Sequence, residues 1–164
     1  MRRKEREIHS PEVLRGILQR SDCCHVAFHD GEYPYLVTMN YGYEFDGQTI
    51  TLYFHCARQG KKLDVMRADP RVCFSMDCDH EYIKHDPQMH CTCNYESIVG
   101  VGEMAEVTDP QEYARGVQLL LEHHGCADGF ELTPGHIRAT CILKLVSHSF
   151  TGKKKLYVPR SAKE

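Results

Sequence analysis

Residues Tyr33–Asp77 read YPYLVTMNYGYEFDGQTITLYFHCARQGKKLDVMRADPRVCFSMD, and this stretch decides the fold. Tyr35–Tyr41 is rich in β-branched and aromatic residues, and Thr49–His55 alternates as a half-buried strand does. Phe45-Asp46-Gly47 supplies a turn between them. The pair is therefore predicted as a hairpin, with Thr38–Tyr41 opposite roughly Thr51–Phe54. A short helix over Gly60–Arg67 follows, with Leu63 and Met66 facing the core and Asp69-Pro70 as its stop. Arg71–Met76 is the next strand. The Thr49–His55 strand runs out through Phe54-His55-Cys56-Ala57, and Gly60-Lys61-Lys62 comes a few residues later. A titratable ring and two cations thus gather at one end of a sheet. Free N–H groups and the dipole at a helix start add to the attraction for anions. The combination suits a flat, phosphorylated, anionic ligand; the bland alternative is an ordinary solvated lysine pair.

Outward from this stretch the pattern stays mostly β. Ser10-Pro11 opens a helix that carries Val13, Leu14, Ile17 and Leu18 at helical spacing and ends near Arg20. Cys23–His29 is a strand, followed by the turn signal Asp30-Gly31. Cys78–Cys91 is polar, His-rich and without period, which predicts a loop. Tyr95–Val107 is a long strand with a bend or bulge at Gly100 and Gly102. Asp109-Pro110 starts a helix with the stripe Tyr113, Val117, Leu120 and Leu121, and Thr133-Pro134 opens one more turn. Arg138–Phe150 is the last strand. Six strands, mostly joined by hairpins, predict a mainly β fold: an antiparallel barrel with peripheral α-helices, not a parallel βαβ sheet. Several strands are apolar on both faces, which predicts a buried partner surface. A homodimer is the simplest case.

The 164 residues suit a single domain spanning 1–164, able to bury roughly 70% of its unfolded surface without disulfides. A net charge of −3 gives no overall pull toward nucleic acid or acidic membranes. Positive runs sit near the ends: Arg2-Arg3-Lys4 reads as a solvated terminus, whereas Lys153-Lys154-Lys155 follows a strand and a Gly and is a better ligand contact. No apolar run is long enough to span a membrane, and no apolar leader is seen, so a cytoplasmic location is expected. The nine cysteines are then expected to be reduced thiols.

Other chemistries are less coherent. Cys78, His80, His85, His90, Cys91 and Cys93 have the right donor types for zinc, yet the chain contains no Cys-x-x-Cys pair. His80 and His85, five apart, would diverge by about 140° on a helix. The cluster is read as a polar loop, with no metal assigned. Gly100-Val101-Gly102 lies mid-strand with no helix after it, so it is not a dinucleotide fingerprint. Cys56 is not activated by His55, because strand neighbours point to opposite faces; it reads as a packing residue. His55 remains the one side chain with a catalytic reading, since an imidazole exchanges protons near neutrality.

The motifs Pro34–Gly42, Leu52–Ala57, Gly60-Lys61-Lys62-Leu63-Asp64 and Asp69–Phe74 together resemble the flavin-binding split-barrel proteins. More narrowly, they are similar to the nitroimidazole-resistance (Nim-type) branch of the pyridoxamine 5′-phosphate oxidase-like superfamily. Tyr95–Gly102 and Thr151-Gly152-Lys153 match two further motifs, so the resemblance runs from about Glu7 to Lys155. It implies a six-stranded split barrel and a homodimer with a flavin in each interface cleft, usually FMN and sometimes FAD. By motif position, Thr38, Met39, Asn40 and Tyr41 would border the ring, and Phe54, His55, Cys56 and Ala57 would run along ring and ribityl chain. Lys61 and Lys62 would hold the phosphate, and Ser97 and Val99 would line the cleft, from the partner subunit in one arrangement. The activity implied is flavin-dependent reduction of a small oxidised acceptor such as a nitroaromatic, with NAD(P)H as donor and His55 as proton donor. A non-catalytic flavin-binding protein and a heme- or zinc-binding split barrel stand as alternatives. The C-terminal substrate-binding residues of true pyridoxamine phosphate oxidase are absent.

Overall fold

The computed structural model describes residues 3–84 and 91–157. After a single 3₁₀ turn at Lys4–Arg6, the order is β1 (Glu7–Ile8), α1 (Pro11–Arg20), β2 (Cys24–Phe28), β3 (Tyr35–Met39), β4 (Gly42–Phe45) and β5 (Ile50–Ala57). Then come α2 (Lys61–Ala68), β6 (Arg71–Lys84), β7 (Cys91–Glu106), α3 (Pro110–His123), α4 (Pro134–Ala139) and β8 (Thr140–Lys155). All strands join one antiparallel sheet in the order β3-β2-β6-β7-β8-β5-β4, with β1 on the tail of β8. Its two ends, β3 and β4, are consecutive in the chain, separated only by Asn40 and Tyr41.

The helices begin where side chains can satisfy their first N–H groups. Ser10 Oγ accepts from Val13 N, Asp109 from Glu112 N, and Thr133 from His136 N in a reciprocal capping box. Inside the curved sheet lies one core built from alternate residues of each strand, including Val26, Phe28, Leu52, Phe54, Phe74, Met76, Ile98, Leu143 and Leu145. From α1, Leu14, Ile17 and Leu18 enter this core, each contributing about 1.5–3 kcal/mol relative to exposure. A second, smaller cluster lies outside the sheet, where Tyr113, Leu119 and Leu120 of α3 cover Tyr53 and Ile142.

The structure corrects four expectations. The predicted Tyr35–Tyr41 strand divides: β3 pairs with β2, placing Thr38 opposite His25, and only β4 pairs with β5, from Gly42↔Tyr53 to Phe45↔Ile50. The hairpin of Thr38–Tyr41 with Thr51–Phe54 is therefore not formed. Gly42 explains the break, because a Cβ there would stand 2.4 Å from the Leu119 carbonyl carbon and Leu120 nitrogen of α3. The chain must turn at this point to pass beneath the helix. Second, the division and the short β1 raise the six expected strands to eight. Third, Cys78–Lys84 and Cys91–Cys93 are not loop but strand, continuing the β6–β7 ladder beyond a register shift between Cys78 and Glu81. Fourth, β8 runs on to Lys155 through the basic run. The bulge expected at Gly100–Gly102 is present as a shift between Val101 and Glu103.

Candidate functional site

Two strand edges and one helix start frame an opening at the end of the sheet. Along β5, Ile50–Tyr53 are paired on both sides, but Phe54–Ala57 pair with β8 alone. Along β3, every residue pairs with β2 and, among the described residues, none pairs on the other side. β4 continues from β3 and lies on β5, so Tyr41 stands one step beyond the Gly42↔Tyr53 pair. The far end is tied as well. Lys61, first residue of α2, places Nζ 2.6 Å from an Asp30 carboxylate oxygen and 4.9 Å from the centre of the Tyr35 ring. The β5–α2 connection thus reaches across to the β2–β3 corner.

The predicted site residues divide by the pleat. Phe54 points into the core, whereas His55 and Ala57 are exposed and Cys56 is half-buried. Met39 is buried; Thr38 and Asn40 are exposed, with Asn40 Nδ2 donating to the Asp22 carbonyl at 3.2 Å. Tyr41 is fully buried, and its hydroxyl donates to the Leu18 carbonyl at 2.7 Å with the Ser21 carbonyl 3.1 Å away. Burial pushes that phenol far above its ordinary value. Met39, Tyr41 and Phe54 therefore offer a ligand only their main chain. Lys62, half-buried, lies close enough for its charge to lower the Cys56 pKa against the larger effect of burial.

At the head of α2, Gly60 is the N-cap at φ 132° and no side chain caps the helix. Intrahelical bonding starts at Leu63 N and Asp64 N, which donate to Gly60 O at 2.9 and 3.3 Å. The N–H groups of Lys61 and Lys62 thus have no intrahelical acceptor.

His55 also borders an apolar cavity of about 250 Å³ between the sheet, α3 and α4. Phe130 and His136 stack in its wall at 5.3 Å, and the capping bond from Thr133 N to Nδ1 orients the His136 ring. Neither Asp30 nor His136 was legible as a site residue, since one sits in an ordinary turn and the other in a capping position.

Ser97 and Val99 are elsewhere, on the outer face of β7. Thr38, His25, Ser75, Val99 and Thr151 form one row across five strands, and Leu36, Ala27, Cys73, Val101 and Ser149 form the next. Val99 is three strand spacings of about 4.8 Å from Thr38. No described helix covers this face, and Leu36 and Val101 are 62% and 53% exposed.

Of the zinc-type donors, His85 and His90 lie outside the described residues. His80 Nε2 is 2.9 Å from Asp77, while Cys91 and Cys93 pair along the β6–β7 ladder with Lys84 and Tyr82. Cys78, Asp79 and Glu96 do converge within 4.8 Å. Arg20 and Lys154 already neutralise that group: Arg20 lies 2.9 Å from Asp79 and 2.5 Å from the buried Glu96, which Lys154 also contacts. It is an ion-pair knot that ties α1 to the sheet. The other lysines of the terminal run are also engaged, Lys153 over the Tyr95 ring at 5.2 Å and Lys155 with Thr92.

One eight-stranded antiparallel sheet, with free edges at β3 and at the tail of β5 and with Lys61 and Lys62 beside the latter, defines a mainly β protein. The chain belongs to the pyridoxamine 5′-phosphate oxidase family, whose sequence profile matches residues 10–154. No curated protein matches it. Among solved structures it is similar to a candidate 5-nitroimidazole antibiotic resistance protein from Bacteroides thetaiotaomicron: 26% identity, TM-score 0.78, covering 90% of this chain and 86% of that one. An FAD- and heme-binding protein from Mycobacterium smegmatis shares the fold at 16% identity and TM-score 0.80, covering 96% and 77%. An FAD-binding protein from Mesorhizobium loti does so at 19% and 0.63, covering 92% and 98%. No described helix is long and apolar enough to cross a membrane.

Proposed function

We propose that the protein binds a flavin nucleotide in the opening between β3 and the tail of β5 and is a flavin-dependent oxidoreductase. The observation that carries this is the pair of free strand edges closed at one end by the uncapped head of α2. Unpaired backbone N–H and C=O groups along Thr38–Tyr41 and Phe54–Ala57 suit the alternating donors and acceptors of a flat heterocycle. The free N–H groups of Lys61 and Lys62 and the Lys62 ammonium suit a phosphate. Lys61 is the weaker candidate, because Asp30 already holds its charge. FMN is the flavin that the family resemblance implies; two of the similar proteins are FAD-binding.

When bound, the flavin supplies two-electron transfer from a reduced pyridine nucleotide to a small oxidised acceptor such as a nitroaromatic. His55, exposed and bordering the apolar cavity, is the side chain placed to hold or deliver a proton at a ring nitrogen. The cavity walls from α3 and α4 exclude water from an acceptor seated there. We place Ser97 and Val99 at the cleft of a second copy. The exposed rows of β3, β2, β6 and β7 are the face through which two split barrels would meet, since these two residues stand too far across the sheet to reach their own opening.

The test is an absorption spectrum followed by a flavin titration. Lys62→Ala is expected to weaken flavin binding about 10- to 100-fold, the loss of one charge-assisted contact, with a smaller effect for Lys61→Ala. Unchanged affinity in the Lys61/Lys62 double variant refutes the phosphate assignment. Prompt bleaching of the flavin band by NADPH supports the reductase, and a bound flavin inert to NADPH and NADH leaves a binding module instead.

A further inference from the structure

We infer that Cys56 and Cys141 form a dithiol oxidation site, converted by a peroxide into a cross-strand disulfide between β5 and β8. The two residues stand directly opposite each other in register. Antiparallel partners have Cα atoms about 4.5 or 5.5 Å apart, and both values fall in the range a disulfide requires. Both side chains lie on the inner face, and each thiol is near enough to shift the pKa of the other. Among the described residues no other two cysteines are register partners.

Their surroundings divide the labour. Cys56 is half-buried; burial raises its pKa, and the nearby charges of Lys62 and Arg67 offset part of that rise. Cys141 is buried, and its Sγ lies 3.6 Å from Glu106 Oε2, a carboxylate held in turn by Arg67 at 2.6 Å. Burial pushes the Cys141 thiol up to about 12, helped by Cys56 and Glu106, so it waits as a protonated second thiol. It also lines a cavity of about 320 Å³ with Arg58 and Glu106.

In the first step the Cys56 thiolate attacks one peroxide oxygen and the O–O bond breaks. Cys56 becomes a sulfenic acid, and the leaving hydroxide takes a proton to become water. Cys141 then passes its proton toward Glu106, its sulfur attacks the Cys56 sulfur, and the sulfenic hydroxyl leaves as a second water. Two thiols are oxidised by two electrons, and one peroxide is reduced to two waters.

The full-length protein, reduced and desalted, is treated with hydrogen peroxide, blocked with an alkylating agent and digested without reductant. Loss of two of the nine titratable thiols is expected, with Cys56 linked to Cys141 in a peptide pair that dithiothreitol separates. Cys141→Ser is expected to stop at a Cys56 sulfenic acid that dimedone traps, and Cys56→Ser to give neither product. A wild-type protein that keeps all nine thiols, or that links either residue to another cysteine, overturns the assignment. So does a Cys141→Ser protein with no dimedone adduct on Cys56. None of these readouts needs a bound flavin or turnover, so the site stands or falls apart from the proposed activity.

Discussion

Gly42→Ala tests the packing on which the opening depends. The added methyl would lie 2.4 Å from two main-chain atoms of α3 and 2.8 Å from Leu119 Cβ. No rotamer change relieves a contact with backbone, so the helix must retreat by about 1 Å to reach an ordinary contact distance. That movement loosens Tyr113, Leu119 and Leu120 from Tyr53 and Ile142. Overpacking of this kind costs about 1–3 kcal/mol. With a urea slope of roughly 2 kcal/mol/M, the unfolding midpoint is expected to fall by about 0.5–1.5 M at unchanged slope. Gly135→Ala is the control: its nearest neighbour is Thr133 Oγ1 at 3.5 Å, and alanine is favoured in a helix, so its midpoint should hold or rise. A Gly42→Ala midpoint within about 0.2 M of wild type would refute the close approach of β4 and α3.

Arg20→Ala leaves Glu96 buried with Lys154 as its remaining cation among the described residues; partial solvent screening of Arg20 sets the expected loss at about 1–3 kcal/mol, measured by the same denaturation. His123 has a pKa lowered from its ordinary value, by burial first and by neighbouring His124 as well. The unfolded chain therefore takes up this proton before the folded one. Its contribution to stability is present above about pH 6.5 and is lost as the pH falls through the folded value. Melting temperatures at about pH 7.5 and about pH 5.5 should diverge more for wild type than for His123→Asn, and equal divergence would rule out His123 as a source.

What the residues disclosed, and what they withheld, follows from the range of the forces involved. Ser10, Asp109 and Thr133 act on the N–H groups two or three residues on, so the helix starts were legible. The break at Asn40 was not, because its cause is Leu119 and Leu120, far along the chain. The strand beyond Cys78 was misread because it projects past the core with both faces wet, and a ladder in water has no apolar period to display. At the site, Lys61 and Lys62 were recognisable as cations beside a strand end. That Asp30 holds the first of them could be seen only once the β2–β3 corner was in place. Chemistry borne by a side chain was readable, whereas the unpaired edges of β3 and β5 are properties of topology.

The pairing of β1 with the tail of β8, Glu7 opposite Lys153, has a bearing on how the chain comes to be folded during synthesis. Strand β5 likewise waits for β8, the last of the described strands to emerge, as its neighbour. A nascent chain therefore carries β5, and later β7, with ladders open until β8 is made, and sheet completion is a late, non-local event. Phe54–Ala57, open on the β4 side in the finished protein, is open on both sides until β8 arrives.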